Sequence, residues 1–400
     1  MNRNIAKKIE ELLSKGVVFP DPYNVSISDE VDTERISGNG VIIYPGCKIY
    51  GSSTLILDGV KIGYEGPVTL KNCQVGSDVS LKGGFFKDSV FLKGSVLGYG
   101  SHLREGTIIE EEARIAHTVG LKHTILFPYV TLGSLINFCD CFMSGGTSRK
   151  DHSEVGSSYI HFNYTPNQDK ATPSLIGDVP KGVMLKQRPI FLGGQGGIVG
   201  PCRLSFGTII AAGTICRKDE LRPDRFIIGG AGKNKNIPFY PGISGNITRI
   251  VSNNIIYIAN LTALMSWYNN VRSQFVSSDF PETLLTGLQE KLNLAILERI
   301  KRLKELIDKT YDNKRKTSLI WPEIKRCFTT EENISSDMID IKNSFLNIVD
   351  SAIKKYGKEY LLVIKNLTDE ESDLGTQWLQ SIVDIKTALA LKLLQADLSD

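Results

Sequence analysis

An aliphatic residue recurs at every sixth position over a long part of this chain. The interval is unbroken in one run of five residues and returns in a second run that ends in cysteine: Leu97, Leu103, Ile109, Ile115 and Leu121, then Leu192, Ile198, Leu204, Ile210 and Cys216. A period of six fits neither an amphipathic helix of 3.6 residues per turn nor a flat strand of period two. A triangular coil of three short strands, with one inward aliphatic residue on each side, requires this period.

Glycine supports the same interpretation, because it repeatedly follows an inward residue where the backbone must turn, as in "IG" at Ile62, "VG" at Val75 and "LG" at Leu97. The alternative is a β-sandwich with glycine-rich turns. Two unbroken runs of hexad positions argue against the sandwich. The sequence therefore predicts a β-solenoid of parallel coils.

The composition divides the chain into parts. We expect an N-terminal helix and connector over 1–39 and the solenoid over 40–219. A segment rich in Gly, Ser, Thr and Pro predicts an extruded loop over about 142–175. A linker over 220–246 then leads to an all-α domain over 247–400, where leucine, lysine and glutamate follow helical spacing. We expect this domain to cover the last coil and to add to an oligomer interface.

Charge and cysteine content limit the function classes. The 400 residues carry a net charge of only +3, which argues against partners such as nucleic acid or a membrane surface. No apolar stretch reaches the length of a membrane span or resembles a secretory signal, so we expect a cytoplasmic protein. Seven cysteines, an odd number, favour reduced thiols, and their spacing predicts no metal site.

A family resemblance rests on three blocks of sequence. They run from "LREG" to "GLKHTIL", from "HFNYTPN" to "LIGD" and from "IFLGGQGGIVGP" to "GTIIAAGTICRKD". Between Gly98 and Asp219 the chain resembles the left-handed parallel β-helix of hexapeptide-repeat acyltransferases. It is most similar to the acetyltransferase domain of the bacterial bifunctional UDP-N-acetylglucosamine pyrophosphorylase/glucosamine-1-phosphate acetyltransferase. The resemblance implies a homotrimer with sites between subunits, acetyl-CoA as co-substrate, and a sugar phosphate or sugar nucleotide as ligand.

The resemblance also implies roles for individual residues. Arg104 and Lys122 match two basic residues that hold phosphates, and guanidinium and ammonium groups suit that task. The positions that match residues of the cofactor cleft are Asn163, Tyr164, Gly194 and Ala212.

The family's catalytic histidine falls on Ser134 in this chain, and its nearby substrate-binding tyrosine falls on Asn137. Serine cannot act as a general base near neutral pH, whereas histidine can. The sequence does not choose among the histidines that could supply the base in its place, which are His117, His123, His152 and His161.

Two other functions remain open at this stage. A non-catalytic sugar-nucleotide-binding protein or trimeric scaffold would explain the loss of the family's histidine and the added helices. Nucleotidyl transfer with Mg²⁺ would depend on Asp151, Glu154 and Asp169. The nucleotidyltransferase half of the bifunctional enzyme begins with a glycine-rich loop. This chain does not open with such a loop, so the sequence shows no nucleotide-binding motif for this reaction.

Overall fold

A three-sided parallel β-solenoid forms the first half of the molecule. The computed structural model describes residues 3–163, 165, 169–229, 247–310, 314–330 and 336–398. The chain visits three sheets in the order A, B, C on each coil, and every strand pairs in parallel with its counterpart one coil away. The fold confirms the predicted β-solenoid followed by an all-α region.

The strands of the three sheets are short, as six residues per side demand. Sheet A contains Ile42–Ile43, Lys61–Ile62, Ser80–Leu81, Val96–Leu97, Arg114–Ile115, Thr131–Leu132, Glu154–Val155, Phe191–Leu192, Ile209–Ile210 and Phe226–Ile227. Sheet B contains Ser26–Ile27, Lys48–Tyr50, Val68–Lys71, Gly84–Lys87, Ser101–Leu103, Gly120–Lys122, Asn137–Cys139, Ile160–Phe162, Gly197–Val199 and Ile215–Cys216. Sheet C contains Leu55–Ile56, Gln74–Val75, Ser89–Phe91, Thr107–Ile109, Ile125–Leu126, Cys141–Met143, Ser174–Ile176 and Arg203–Leu204.

The hexad residues fill the interior of the prism. Leu97 pairs with Ile115 in sheet A and Leu103 pairs with Leu121 in sheet B, and all four side chains are buried. Each side of a coil is one hexad, and alternate residues of its strand point outward. One residue of the hexad therefore fills the interior, and the other five form the turn and the outer surface. The aliphatic stack is therefore the core that the sequence predicted.

The solenoid is longer than predicted at both ends. Sheet B begins at Ser26–Ile27, inside the expected connector, and sheet A ends at Phe226–Ile227, inside the expected linker. Helix α1 (Arg3–Lys15) precedes the first coil, as predicted. The remaining linker residues, 230–246, lie outside the described residues.

The prediction of one extruded loop over 142–175 is wrong. Glu154–Val155, Ile160–Phe162 and Ser174–Ile176 are strands of sheets A, B and C, so the coil continues through the segment. Its polar composition instead reflects insertions at the edges of the prism. One insertion is an antiparallel hairpin of Gly146–Ser148 and Asp151–His152 between sheets C and A.

The α-helices of the described residues, beyond α1, are α2 (Val179–Gly182), α3 (Ile247–Asn270), α4 (Glu282–Thr310), α5 (Lys314–Thr329), α6 (Ser336–Tyr356), α7 (Tyr360–Lys365) and α8 (Asp369–Leu398). Helices α3 to α8 begin where the all-α domain was predicted. None of the helices described combines the length and apolar character of a membrane span.

Within the described residues the helical layer lies along sheet C and meets the last coils at the start of its first helix, whereas a cap over the last coil was expected. Helix α3 starts beside the last coils, where Asn253 donates to Asp219, and runs back until Tyr268 donates to Glu110 at 2.6 Å. Helix α4 then returns in the opposite direction across Gln74–Val75, Ser89–Phe91 and Thr107–Ile109.

Sheet C accepts these helices because it is apolar on both faces. Its outward residues are buried although they point away from the prism; they are Val90, Ile108, Ile125, Phe142 and Leu175. A sheet that is covered on both sides has continuous apolar strands, whereas a half-exposed sheet alternates with polar residues. Sheets A and B carry polar outward residues on many of their coils, and within the described residues helix α4 packs on strands of sheet C.

Buried ion pairs fix the helical layer to the solenoid. Arg272 meets Glu111 at 2.5 Å and lies over the ring of Tyr360, 3.7 Å from its centroid. Arg299 of α4 meets Asp140 at 2.9 Å, and both side chains are almost fully buried. These buried ion pairs can form only if the helical layer packs on the solenoid in one register.

We predict that Arg299→Met lowers the free energy of unfolding by about 3–5 kcal/mol, because it leaves the Asp140 carboxylate buried without its cation. Urea denaturation followed by circular dichroism measures the change. Asp140→Asn combined with Arg299→Met should cost less than the sum of the single changes. The control is Lys354→Met, whose exposed pair with Asp350 should contribute less than about 1 kcal/mol. Equal losses for the two methionine variants would contradict the assignment.

Candidate functional site

The turns between sheets A and B form one exposed edge, the A–B edge. Predicted site residues from successive coils stack along it: His117, Ser134, Gly194 and Ala212, with Ser157 between the second and third. Close approaches document the stacking: a Cβ built on Gly133 would lie 2.9 Å from the backbone nitrogen of Ser157. The structure therefore brings together residues that lie almost 100 positions apart in sequence.

A histidine and a serine form a pair at this edge. The Nδ1 of His117 lies 2.9 Å from the Oγ of Ser134. The backbone N–H of Ser134 in turn donates to the Oγ of Ser157 at 3.2 Å. The position that aligned with the family's catalytic histidine is thus directly hydrogen-bonded to a histidine from the preceding coil.

A groove of ≈ 530 Å³ begins beside this pair and crosses the outer face of sheet B. Thr118 and Leu135, the neighbours of the pair in sequence, lie at one end. The residues that line the groove are His102, Arg104, Thr118, Gly120, Leu121, Leu135, Ile136, Asn137, Cys139 and Ile160. Of the four predicted substrate-binding residues, the groove includes Arg104 and Asn137. Ser134 immediately precedes Leu135 at its end, and Lys122 lies on the same strand as Gly120 and Leu121 without lining the groove.

The outer face of sheet B beside the groove is basic. Lys71, Lys87, Arg104 and Lys122 occupy equivalent outward positions on four successive coils. Lys122 is held by Glu105 at 2.8 Å. Burial opposes ionisation of Glu105, but the hydrogen bond from Lys122 prevails and lowers the pKa of this carboxyl to about 2. The column therefore presents cations of which only some are locally paired.

Two of the predicted bases are buried. His161 points into the prism, where it occupies the inward position between Phe138 and Ile198, and its Nε2 lies 2.8 Å from the Oγ of Ser174. Burial lowers the pKa of His161 to about 4. His123 lies at the opposite edge of sheet B; burial, with Arg299 nearby, lowers its pKa to about 4. Both were candidate bases, and the structure places both imidazoles in buried surroundings away from the A–B edge.

The hairpin holds His152 at the edge between sheets C and A. Its Nε2 lies 3.8 Å from Glu154, and burial together with Arg149 lowers its pKa. Arg149 anchors the hairpin by donating to the carbonyls of Glu112 and Tyr129. His152 is therefore separated from the A–B edge by the width of sheet A.

The predicted cofactor residues are divided between two edges. Gly194 and Ala212 lie on the A–B edge, above the His117 and Ser134 pair. Asn163 lies beyond the other side of sheet B, where it hydrogen-bonds Asp140. Tyr164 lies outside the described residues. A cleft that included both edges of sheet B would need two neighbouring subunits, as the resemblance implies.

His102 was not among the predicted site residues. This exposed residue lines the groove, and its ring stacks on Phe85 with centroids 4.9 Å apart and planes 21° apart. The signal was present, because His102 and Arg104 flank the inward Leu103 and must therefore share the outer face of sheet B.

The carboxylates proposed for Mg²⁺ do not assemble. Asp151 and Glu154 lie around the hairpin, whereas Asp169 follows sheet B and accepts a hydrogen bond from Thr165. Within the described part of the chain, no group of three or more His, Cys, Asp or Glu side chains could hold a metal ion.

Comparisons with known proteins show similarity to solved structures only at a distant level. No family model and no curated protein matches the chain. Among solved structures the chain is similar to LpxA from Acinetobacter baumannii, with 14% identity over 75% of this chain and 92% of that chain, at a TM-score of 0.18. A similarity at this level identifies neither activity nor substrate.

We predict that the buried imidazole of His161 makes stability depend on pH. Its folded pKa of about 4 lies below the ordinary value near 6.5, so the unfolded chain binds more protons as pH falls. Between pH 8 and pH 5 this residue should remove about 2 kcal/mol from the free energy of unfolding. His161→Leu, which restores an aliphatic residue to the stack, should abolish that part of the dependence in urea denaturation. An unchanged pH slope in the variant would refute the assignment.

Proposed function

We propose that this chain is an acyltransferase-like enzyme that binds a sugar nucleotide or sugar phosphate together with an acyl-CoA. The observation that carries the proposal is the pair of His117 and Ser134 at the end of a groove that contains Arg104. An exposed imidazole, a hydroxyl that orients it and a guanidinium for phosphate are what acyl transfer to a phosphorylated acceptor needs.

In this mechanism Ser134 accepts a hydrogen bond from the Nδ1–H of His117. That bond leaves the lone pair on Nε2, which faces outward and can take a proton. Nε2 removes the proton from the hydroxyl or amine of the acceptor as that atom attacks the thioester carbonyl. The carbon–sulfur bond then breaks, the acyl group stays on the acceptor, and the proton passes to the departing CoA thiolate.

The A–B edge suits the thioester. Gly194 and Ala212 present little side-chain bulk above the base, so an extended chain can approach the backbone there. Adjacent coils are about 4.8 Å apart, and four steps separate His117 from Ala212 along the stack of turns. The edge therefore offers about 19 Å of narrow surface that leads to the base.

The first experiment is a calorimetric titration with acetyl-CoA, with and without a UDP-sugar. Binding of the thioester that the sugar tightens supports the transferase. Binding of the UDP-sugar alone would favour the alternative of a non-catalytic sugar-nucleotide-binding protein. The observation behind that alternative is that Ser134 occupies the position of the family's catalytic histidine.

We predict that His117→Ala slows thiol release by about 100-fold or more, because general-base catalysis contributes about that much. Acetyl-CoA affinity should change little, since the base acts after binding. His152→Ala is the matched control and should retain activity, because this histidine lies across sheet A from the pair. If His117→Ala released thiol as fast as the unaltered protein, the base would have to be assigned elsewhere.

We also propose that the chain forms a homotrimer through its last coils. Sheet A there changes from polar to apolar outward residues: Phe191, Ile209 and Phe226 pair in register and are 40%, 42% and 63% exposed. On sheet B, Ile215 is exposed in the coil of Ile209, and Ile160 is exposed one coil before Phe191. Apolar ladders on two adjoining faces are typical of a surface that self-associates around an axis.

We predict a particle of about three times the chain mass of 44.2 kDa in light scattering. Ile209→Glu should dissociate it, because charge would be buried at the centre of the ladder. Ser80→Glu, an outward position of the same sheet in an early coil, should leave the mass unchanged. A monomer for the unaltered chain would exclude a site that is shared between subunits.

A further inference from the structure

The outer face of sheet B contains a stack of rings that is interrupted at one coil. Phe85, His102, Gly120 and Asn137 occupy the same outward position on four successive coils, as their strand pairing shows. The first two are stacked rings at 4.9 Å. The third has no side chain, so the column contains an empty position between an imidazole face and an amide.

We call this empty position the Gly120 slot. It has room for an additional group. A Cβ built on Gly120 would meet only the Oδ1 of Asn137, at 3.7 Å. The groove is lined by His102 below the slot, Gly120 behind it and Asn137 above it. With about 4.8 Å between coils, a flat ring at the level of Gly120 would lie about 4.8 Å from His102. That matches the separation of the rings already stacked there.

The walls of the slot favour an aromatic heterocycle. The exposed face of His102 offers a π-surface of the kind on which bases stack. Asn137, one coil above, bounds the opposite face of the slot with a planar amide. Arg104 lies next to the slot on the adjacent outward column, where it can reach phosphates attached to the ring through a sugar.

We propose that the Gly120 slot binds the nucleobase of a nucleotide ligand, with the base on His102 and its phosphates at Arg104 and Lys122. This inference rests on the proposed function, because it takes the phosphate site from it, and it adds the recognition of a planar base. The base could belong to the sugar nucleotide or to the adenosine of CoA. Both sources share the chemistry of a purine or pyrimidine joined to phosphate.

Gly120→Val tests the proposal by filling the slot. Gly120 does not have the left-handed backbone that requires glycine, and it lies outward on a strand, where valine is well tolerated. Circular dichroism and the melting temperature verify that the variant folds. Ser80→Val is the matched control, because it adds a valine at an outward strand position of sheet A. His102→Ala is a second variant that removes the stacking face and leaves the slot open.

The ligands are UDP, adenosine 3′,5′-bisphosphate and pyrophosphate, each titrated by calorimetry. We expect at least one nucleotide to bind the unaltered protein tenfold or more tightly than pyrophosphate. Gly120→Val should reduce its affinity to that of pyrophosphate, whose own affinity should change less than twofold. His102→Ala should weaken the nucleotide in the same direction, and Ser80→Val should change nothing. The nucleotide that is affected identifies the source of the base.

Two kinds of outcome would overturn the inference. They differ in whether the phosphate site of the proposed function fails as well. If nucleotides and pyrophosphate bind equally well, or if Gly120→Val leaves the nucleotide affinity intact, the slot does not bind a base, although the phosphate site stands. If none of the three ligands binds, the phosphate site of the proposed function fails as well. Arg104→Ala separates these cases further, since it should weaken all three ligands to a similar extent.

Discussion

The register between coils is the constraint on which the rest of the structure depends. Each inward aliphatic side chain packs on its counterpart one coil away, and the same backbone pairing places every outward residue directly above another. The position of a residue in the sequence therefore determines its height along the prism. His117 and Ser134 meet because they are 17 residues apart, which is one coil where one of its three sides has five residues in place of six, and Phe85 and His102 stack for the same reason. Site geometry in this protein follows from the core, without loops that must be positioned separately.

The helical layer decides which surfaces remain available. Helices α3 and α4 occupy sheet C from the last coils to the early ones, and the buried pairs of Arg272 with Glu111 and Arg299 with Asp140 fix them in place. Sheets A and B and the edge between them are left for ligands and for other copies of the chain. The basic column, the groove and the apolar ladders all lie on this remaining surface, so the proposed binding and assembly sites share two faces of one prism.

The fold was largely predictable because its main signal is a single spacing repeated many times. The hexads identified the solenoid and its inward residues, and the change in composition located the helices. The prediction failed where the period was hidden. Polar insertions at the edges concealed the strands between 142 and 175, and His161 did not look like a core residue although it holds a hexad position. The covered face was also missed, because its signal is two adjacent apolar residues in each strand of sheet C, such as Val90 and Phe91, and the six-residue period registers only the inward one of the two.

The helical layer also changes how the solenoid can come apart. In a stack of coils each repeat contacts only its neighbours, so an end can open while the middle stays folded. Here α3 connects Asp219 in the last coils with Glu110 five coils earlier, and α4 continues from Gln74 to Asp140. Opening one coil would therefore break contacts that stabilise distant ones. The two antiparallel helices turn a one-dimensional array into a body whose coils unfold together, and they protect the last coils that carry the apolar ladders from fraying.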